Sequence, residues 1–174
     1  EGSAIRIGAL TRHAELLSSD LLALSCPLLR MAASHIAHPA IRNRGTIGGS
    51  IALGDPAAEL PACVVALDAT IIARSAAAER RIPARQFYTG VYSNLLEAAE
   101  MIVAIDIPFM KAGERDGFLE LSRREGDYAM IGVAARGGLT EGKFSSLSLA
   151  YFSAGDRPLL ATSAAAALSG KPLD

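Results

Sequence analysis

The chain has 174 residues, of which 51% are apolar and 20% charged, and its 17 Lys and Arg against 18 Asp and Glu leave a net charge of −1. This composition is too apolar for a disordered chain, and it carries no basic excess with which to hold a polyanion. No stretch approaches the ~20 uninterrupted apolar residues of a membrane-spanning helix, so we expect no nucleic-acid partner and no membrane span.

The two cysteines, Cys26 and Cys63, limit the redox chemistry that the chain can support. Two thiols cannot form a four-thiolate zinc or iron–sulfur site, and a disulfide scaffold does not suit a chain of this length and composition. We therefore expect buried free thiols in a reducing cytoplasm. The first residues show no signal-peptide pattern and begin inside a strand-like run, which is typical of a piece of a longer protein.

The first third of the chain is predicted to be helical after one strand over residues 4–10. Thr11 is the predicted N-cap of the first helix. A second helix is expected to start at Pro27 and to end near His38, because Pro39 disfavours a helical conformation in the residue before it.

A glycine-rich segment, residues 40–50, reads Ala-Ile-Arg-Asn-Arg-Gly-Thr-Ile-Gly-Gly-Ser. Successive backbone N–H groups in such a turn can converge on an anion, and glycine lets a phosphate approach the backbone. An ordinary tight turn has the same composition, and the segment is neither a Walker loop nor a dinucleotide fingerprint. The residues themselves leave the phosphate cradle and the structural turn both open.

The remainder is predicted to change from helix to strand. Asp55-Pro56 gives an N-cap and a first helical position for a helix that runs to Leu67. An Ala-rich helix over residues 161–168 is expected to end at Gly170. A helix-rich first third followed by strands in meander order predicts an α+β fold. The predicted strands cover residues 69–73, 101–108, 118–122, 129–135 and 146–152.

Other polar groups allow two interpretations each. His35 and His38 have no evident third ligand, which favours surface histidines over a metal site. No Gly-x-Ser-x-Gly elbow supports a nucleophilic serine. The arginine pairs at 80–81 and 123–124 fit a solvated face, although either pair could steer an anion. Tyr128 belongs either to a polar turn that feeds a strand or to the flank of an aromatic ligand.

Two blocks of the sequence, taken together, form a specific composite pattern. Residues 41–50 are followed by Asp-Pro-Ala-Ala-Glu-Leu-Pro at 55–61, and residues 100–108 are followed by 118–135 with its Arg-Arg-Glu-Gly-Asp-Tyr core. In this order and spacing the blocks resemble the FAD-binding medium subunit of molybdenum hydroxylases, the carbon monoxide dehydrogenase and xanthine dehydrogenase flavoprotein family. The resemblance covers essentially the whole chain.

The resemblance implies two lobes. Residues 1–112 would form an FAD-binding lobe of the PCMH type, with a mixed or antiparallel sheet and packed helices, and residues 113–174 would begin the flavoprotein C-terminal α+β lobe. It also implies truncation at both ends, with the family's first pyrophosphate loop absent. A piece without that loop is expected to bind FAD weakly or not at all and to be inactive by itself.

The resemblance further implies a cofactor site. The segment from Thr46 to Ser50 would be one of two loops around the FAD pyrophosphate, with the backbone amides of Gly48, Gly49 and Ser50 as donors. Glu59 would bond the ribityl or phosphate region. The implied cofactor-binding residues are Ile36, Thr46, Ile47, Gly48, Gly49, Ser50, Glu59, Ile102, Glu120 and Tyr128.

The other implied positions concern the flavin ring and two departures from the family pattern. Ile36 and Ile102 would line the cofactor, and Tyr128 would lie beside the isoalloxazine. Ser50 stands where many members have Asn and keeps a hydroxyl donor. Glu120 stands where some members have Lys, which removes a positive charge near the flavin.

The function implied by the resemblance is electron transfer within a larger enzyme. Substrate would be oxidised at a molybdopterin centre in a large subunit, and electrons would pass through the 2Fe-2S clusters of a small subunit to FAD on this chain and then to an external acceptor. No catalytic residue and no metal ligand is expected here. Two alternatives stay open: a stand-alone flavin reductase or oxidase of the same fold, and a cofactor-free module that assembles subunits.

Overall fold

The computed structural model describes residues 4–173, which form eight helices and ten strands. Every strand pairing within this range is antiparallel. The predicted α+β class, with antiparallel sheets and packed helices, is confirmed. In chain order the elements are β1 (Ala4–Gly8), α1 (His13–Ser18), α2 (Asp20–Ser25), α3 (Pro27–His35), α4 (Pro39–Arg42), α5 (Ile47–Leu53), α6 (Glu59–Ala66), β2 (Thr70–Arg74), β3 (Glu79–Pro83), α7 (Ala84–Phe87), β4 (Tyr88–Gly90), β5 (Ser93–Asn94), β6 (Met101–Pro108), β7 (Glu114–Ser122), β8 (Ala129–Thr140), β9 (Lys143–Phe152), β10 (Leu159–Leu160) and α8 (Thr162–Leu168).

The first sheet has the strand order β1-β6-β2-β3. Ile105 of β6 pairs with Ile7 on one side and Ile71 on the other, and all three are buried. The next position along β6, Asp106, faces the opposite side of the sheet, as the two-residue period of a strand requires. There the Arg6 guanidinium donates to Asp106, and this hydrogen bond lowers the pKa of that carboxyl.

Helix α6 is the centre of the molecule, because every residue from Leu60 to Ala66 is buried. It contacts α3 and α5 on one side and β8 and β9 on the other. Cys63 of this helix and Cys26 are buried free thiols, as predicted. Burial raises the pKa of Cys26 to about 11 and holds that of Cys63 well above its usual value, so both are unreactive protonated thiols.

The second sheet has the order β10-β9-β8-β7 and packs one face against the core. Phe152 is fully buried there and stacks on Phe118 with ring centroids 5.5 Å apart. A Cβ at Gly132 would lie 2.0 Å from the Phe152 ring, so glycine makes room for that ring. Residues of both sheets and of the helices contribute to one continuous hydrophobic core.

Two helix boundaries in the first third of the chain differ from the sequence prediction. The N-cap of α1 is Arg12, one residue beyond Thr11. Helix α3 starts at Pro27 as predicted but ends at His35, and Pro39 starts α4, because a proline is well accepted in the first helical turn. No helix between residues 4 and 173 is long and apolar enough to cross a membrane.

The helix predicted to open at Asp55-Pro56 begins instead at Glu59. The Asp55 carboxylate accepts a hydrogen bond from the Ala57 N–H at 2.9 Å. The backbone carbonyl of Asp55 accepts another from the Ala58 N–H at 3.0 Å. Asp55 therefore shapes a turn before α6, a role in which Asp hydrogen-bonds the backbone two residues on.

Candidate functional site

The glycine-rich segment is the first turn of a helix. Thr46 is the N-cap of α5, and the N–H groups of residues 47–50 all have acceptors within the chain. These acceptors are the carbonyl oxygens of Thr11, Ala9 and Thr46 and the Thr46 hydroxyl, at 2.9 to 3.1 Å. The segment is thus the start of a helix, and the helix and its cap provide acceptors for these amides. The implied role of Gly48, Gly49 and Ser50 as pyrophosphate donors stays a prediction.

The two adjacent glycines of α5 have different surroundings. A Cβ at Gly48 would lie 2.5 Å from the Cβ of Ala9 and 2.7 Å from its carbonyl oxygen, so Gly48 allows α5 to pack on the end of β1. A Cβ at Gly49 would approach only the Thr46 hydroxyl, at 3.0 Å, and Gly49 is exposed. Gly48 thus has a structural role in packing, whereas Gly49 faces outward and leaves space beside the helix.

That space is a groove of about 410 Å³. One wall comes from residues between the start of α1 and the start of α6, and the other comes from the loop between β7 and β8. We call it the flank groove. The residues that line it are His13, Ile36, Ala37, Ile41, Gly45, Thr46, Gly49, Ser50, Leu53, Asp55, Ala58, Glu59, Gly126, Asp127 and Tyr128.

Six of the ten implied cofactor residues meet in the flank groove, namely Ile36, Thr46, Gly49, Ser50, Glu59 and Tyr128. The other four lie behind its surface or apart from it. Ile47 and Gly48 are buried under α5, and Ile102 is a buried core residue of β6. Glu120 points inward from β7 with a side chain only 1% exposed.

The carboxyl groups near the groove are shifted toward their neutral forms. Burial raises the pKa of Glu59 to about 7, and the charges of Glu120 and Asp55 add to this rise. Burial also raises the pKa of Glu120, while the charge of His35 lowers it. The Nδ1 of His35 lies 3.7 Å from the Oε2 of Glu120. Glu120 Oε2 has no hydrogen-bond partner among residues 4–173. Negative charge at this end of the groove is therefore destabilising unless a ligand or proton compensates it.

His13 is a groove residue that sequence reasoning did not identify. Its ring lies beneath Gly45, where a Cβ would come within 2.8 Å of the ring Cε1. Burial lowers the pKa of His13, which keeps the imidazole neutral, and the backbone of Thr46 opposes this shift. His13 directly follows the N-cap of a short helix, and nothing in the local sequence indicates that its side chain is buried.

The rim of the groove is closed where the β7–β8 loop touches the segment between α3 and α4. Gly126, with φ of +80°, packs on the backbone of Ala37, itself at φ +40°. A Cβ at Gly126 would lie 2.6 Å from the Ala37 carbonyl oxygen. Arg42 holds the same backbone by donating to the carbonyl oxygens of Ile36 and Ala37 at 2.8 and 2.9 Å.

Among the described residues no cluster of His, Cys, Asp and Glu could hold a metal ion. His35 approaches Glu120, and its ring lies 5.1 Å from that of Phe118, so it packs on the second lobe. The groove instead combines apolar surfaces with hydroxyl and carboxyl groups, a combination that suits an organic ligand with a planar ring and hydroxyl groups.

Comparison with known proteins places this geometry in context. The model of the FAD-binding domain in molybdopterin dehydrogenase matches residues 1–110, and that of the CO dehydrogenase flavoprotein C-terminal domain matches residues 117–174. The 6-hydroxypseudooxynicotine dehydrogenase complex subunit alpha of Paenarthrobacter nicotinovorans is 47% identical over 131 residues, which are 75% of this chain and 44% of that protein.

Two further relatives align over the whole chain. The carbon monoxide dehydrogenase medium chain of Afipia carboxidovorans is 36% identical over 174 residues, which are 60% of its length. A solved structure of carbon monoxide dehydrogenase from Hydrogenophaga pseudoflava, which lacks the Mo-pyranopterin moiety, superimposes with a TM-score of 0.96 at 39% identity and covers 100% of this chain and 61% of that one. The chain thus spans about half to three fifths of the length of these relatives.

Proposed function

Because the chain belongs to the family of FAD-binding domains in molybdopterin dehydrogenases, we propose that it is the FAD-binding, electron-transferring part of a molybdenum-containing hydroxylase or dehydrogenase. The proposed partners are a large subunit with molybdopterin and a small subunit with 2Fe-2S clusters. The relatives named as a medium chain and as a subunit of a dehydrogenase complex support this arrangement. An external molecule would accept the electrons.

The observation that carries the proposal is the fit between the flank groove and one part of FAD. Ile36, Leu53 and Tyr128 offer apolar surface for a planar ring, and Gly49 leaves the wall free of a Cβ. Glu59 offers oxygen atoms to a hydroxyl chain. This donor and acceptor set suits the isoalloxazine and ribityl groups better than the pyrophosphate, because the amides of residues 48–50 already donate within the chain.

The bound flavin would supply the redox chemistry, and the chain's residues would bind and orient it. The Thr46 and Ser50 hydroxyls would hydrogen-bond the ligand from α5. Glu59 would accept from ligand hydroxyls. The Ala37–Gly126 contact would fix the distance between the walls. No side chain of the groove needs to act as an acid or base in this role.

The lobe boundary between residues 112 and 113 is part of the same proposal. The first sheet ends with β6 at Pro108 and the second begins with β7 at Glu114. The two matched family regions end at residue 110 and begin at residue 117. Residues 1–112 would thus be the FAD-binding lobe and 113–174 the beginning of the C-terminal lobe.

The test is purification of the native protein from cells that produce it, followed by absorption spectroscopy, chromatography of the released flavin and analysis for molybdenum and iron. We expect FAD together with both metals. A preparation without flavin would show a cofactor-free assembly module. Flavin without molybdenum or iron would show a stand-alone reductase or oxidase. Either result would contradict the proposal.

A further inference from the structure

Tyr92 is a bulky residue held in a backbone conformation that favours glycine. It lies at the tip of the β4–β5 hairpin with φ of +50°. A left-handed conformation is unfavourable for a non-glycine residue, and asparagine or glycine is the usual choice there. Such strain persists where the surroundings fix the backbone, and it is concentrated at functional sites.

The hairpin that carries Tyr92 is anchored on both lobes. Asn94 donates from its side chain to the carbonyl of Ala52 in α5 at 2.8 Å, and Arg157 of the second lobe donates to the Thr89 carbonyl at 3.0 Å. The tip is therefore fixed relative to the flank groove, and the conformation of Tyr92 does not follow from looseness of the turn.

The side chain of Tyr92 reaches the end of the flank groove. Its hydroxyl donates to Asp55 Oδ2 at 3.4 Å, and Asp55 is a groove residue only 8% exposed. The charge of Asp55 raises the pKa of Tyr92, and Asp55 lines the same groove as Tyr128.

Both tyrosine rings are nevertheless open to solvent. Tyr92 is 58% exposed and Tyr128 is 77% exposed, although each is a large apolar surface. Tyr128 comes from the second lobe, and Tyr92 comes from the hairpin that follows α7. Within residues 4–173 the fold leaves more than half of each of these tyrosines uncovered.

We propose that Tyr92 and Tyr128 form an aromatic clamp at the Asp55 end of the flank groove, which holds the planar ring of the flavin. The inference rests on the proposed function and adds Tyr92, which lies outside the two recognised sequence blocks. The strained backbone at Tyr92 is retained because it aims the ring at the ligand. The loss of an aromatic contact of this kind weakens ligand affinity by a few-fold to about tenfold.

The experiment is titration of the native protein, stripped of its flavin, with FAD, followed by quenching of the flavin fluorescence. Thermal unfolding is measured on the same samples. Tyr92→Gly should raise the FAD dissociation constant about fivefold while the unfolding midpoint stays equal or rises, because glycine relieves the left-handed strain. A merely structural tyrosine would lower stability instead.

Matched variants separate the ring from its other contributions. Glu141→Gly removes another exposed left-handed residue, with φ of +52°, at the β8–β9 turn, and should leave FAD affinity unchanged. Tyr92→Phe keeps the ring and should bind within about twofold of the wild type. Tyr92→Asn, which also tolerates the left-handed region, serves if the glycine variant does not fold.

The outcomes are distinct. Native wild-type protein that binds no FAD would overturn the proposed function and the clamp with it. Normal FAD binding by Tyr92→Gly would overturn the clamp alone. Equal losses in Tyr92→Phe and Tyr92→Gly would assign the effect to the hydroxyl and overturn the ring contact. Unfolding of both the glycine and asparagine variants would show that Tyr92 is structural, which also contradicts the clamp.

Discussion

Gly48 and Gly49 are neighbours in sequence but serve different purposes in the fold. Gly48 is buried against Ala9, whereas Gly49 is exposed beside the flank groove. The Gly-Gly pair indicated either an anion cradle or a turn, and the local pattern could not assign a purpose to each residue. Only the position of β1, about 40 residues earlier in the chain, distinguishes them.

Gly48→Ala should destabilise the protein by about 1–3 kcal/mol, because the added Cβ meets backbone atoms of Ala9 that cannot rotate away. Gly49→Ala is the matched control and should stay within about 1 kcal/mol of the wild type, since helix propensity favours alanine. Urea unfolding of both variants measures the difference. Equal losses would mean that α5 does not pack on Ala9 as described.

Glu59 is the residue whose pH response is most informative. Its pKa rises from 4.5 in a free chain to about 7 in the fold. A raised carboxyl pKa means that the folded state holds a proton which the unfolded state has released. The stability contribution of this protonated group is therefore fully present below pH 4.5 and is lost as the pH rises through about 7.

Glu59→Gln should remove that loss. We expect the variant to be more stable than the wild type at pH 8 by roughly 1–3 kcal/mol, with the difference shrinking toward pH 4.5. Chemical unfolding at a series of pH values measures it. Glu141→Gln, at the exposed turn between β8 and β9, is the control and should show no such pH-dependent gain. An unchanged pH profile in Glu59→Gln would show that Glu59 is not desolvated.

At the scale of elements, strands were predicted better than helix ends. The predicted bounds of β6 agree with the structure, and β7, β8 and β9 were predicted at the right places but too short. The two-residue alternation of a half-buried strand is local and survives in the sequence. The boundaries of α3 and α6 were shifted because Asp, Pro and Ser also stabilise turns, so a cap signal alone does not locate the first helical residue.

The contact between the β7–β8 loop and the α3–α4 junction sets the width of the flank groove, and Gly126→Ala should test it. Gly142 has nearly the same backbone conformation, with φ of +75° against +80°, but a Cβ there would meet nothing within 4 Å. Gly142→Ala should cost about 1–2 kcal/mol from conformation alone. Gly126→Ala should cost at least about 1 kcal/mol more, because its Cβ meets the Ala37 carbonyl.

The second readout for this pair is the amide NMR spectrum. Gly126→Ala should shift the signals of residues 36–37 and 127–128, whereas Gly142→Ala should leave them in place. If the two variants lose equal stability and neither disturbs residues 36–37, the lobes do not meet at this point.

At the scale of the whole molecule, a buried ion pair joins the second sheet to the rest of the fold. Arg136 Nε lies 2.7 Å from Asp116 Oδ1, and the two side chains are only 8% and 0% exposed. Asp116 also accepts from the Leu28 N–H of α3 at 3.1 Å, and Arg136 donates to the Pro108 carbonyl at the end of β6 at 3.1 Å. The pair thus links β7 and β8 to both a helix and a strand of the first lobe.

Arg136→Met should destabilise the protein by about 3–5 kcal/mol, because Asp116 would remain buried without a compensating charge. The double variant Asp116→Leu with Arg136→Met should recover most of this loss, since an apolar pair leaves no uncompensated charge. Urea unfolding provides both numbers. A small effect of the single variant would show that water reaches Asp116 and that the lobes are joined mainly by apolar packing.

The sequence by itself determined the α+β class, most strands, the buried thiols and the family, because periodicity, capping residues and contiguous motifs are local properties. Only the tertiary structure decided which of the implied cofactor residues share the flank groove, that Gly48 serves packing and that Glu59 is desolvated. It also brought Tyr92 to Asp55, 37 positions away, and Gly126 to Ala37. Burial and contacts between distant residues arise from the packing of whole elements, and a local pattern contains no information about that packing.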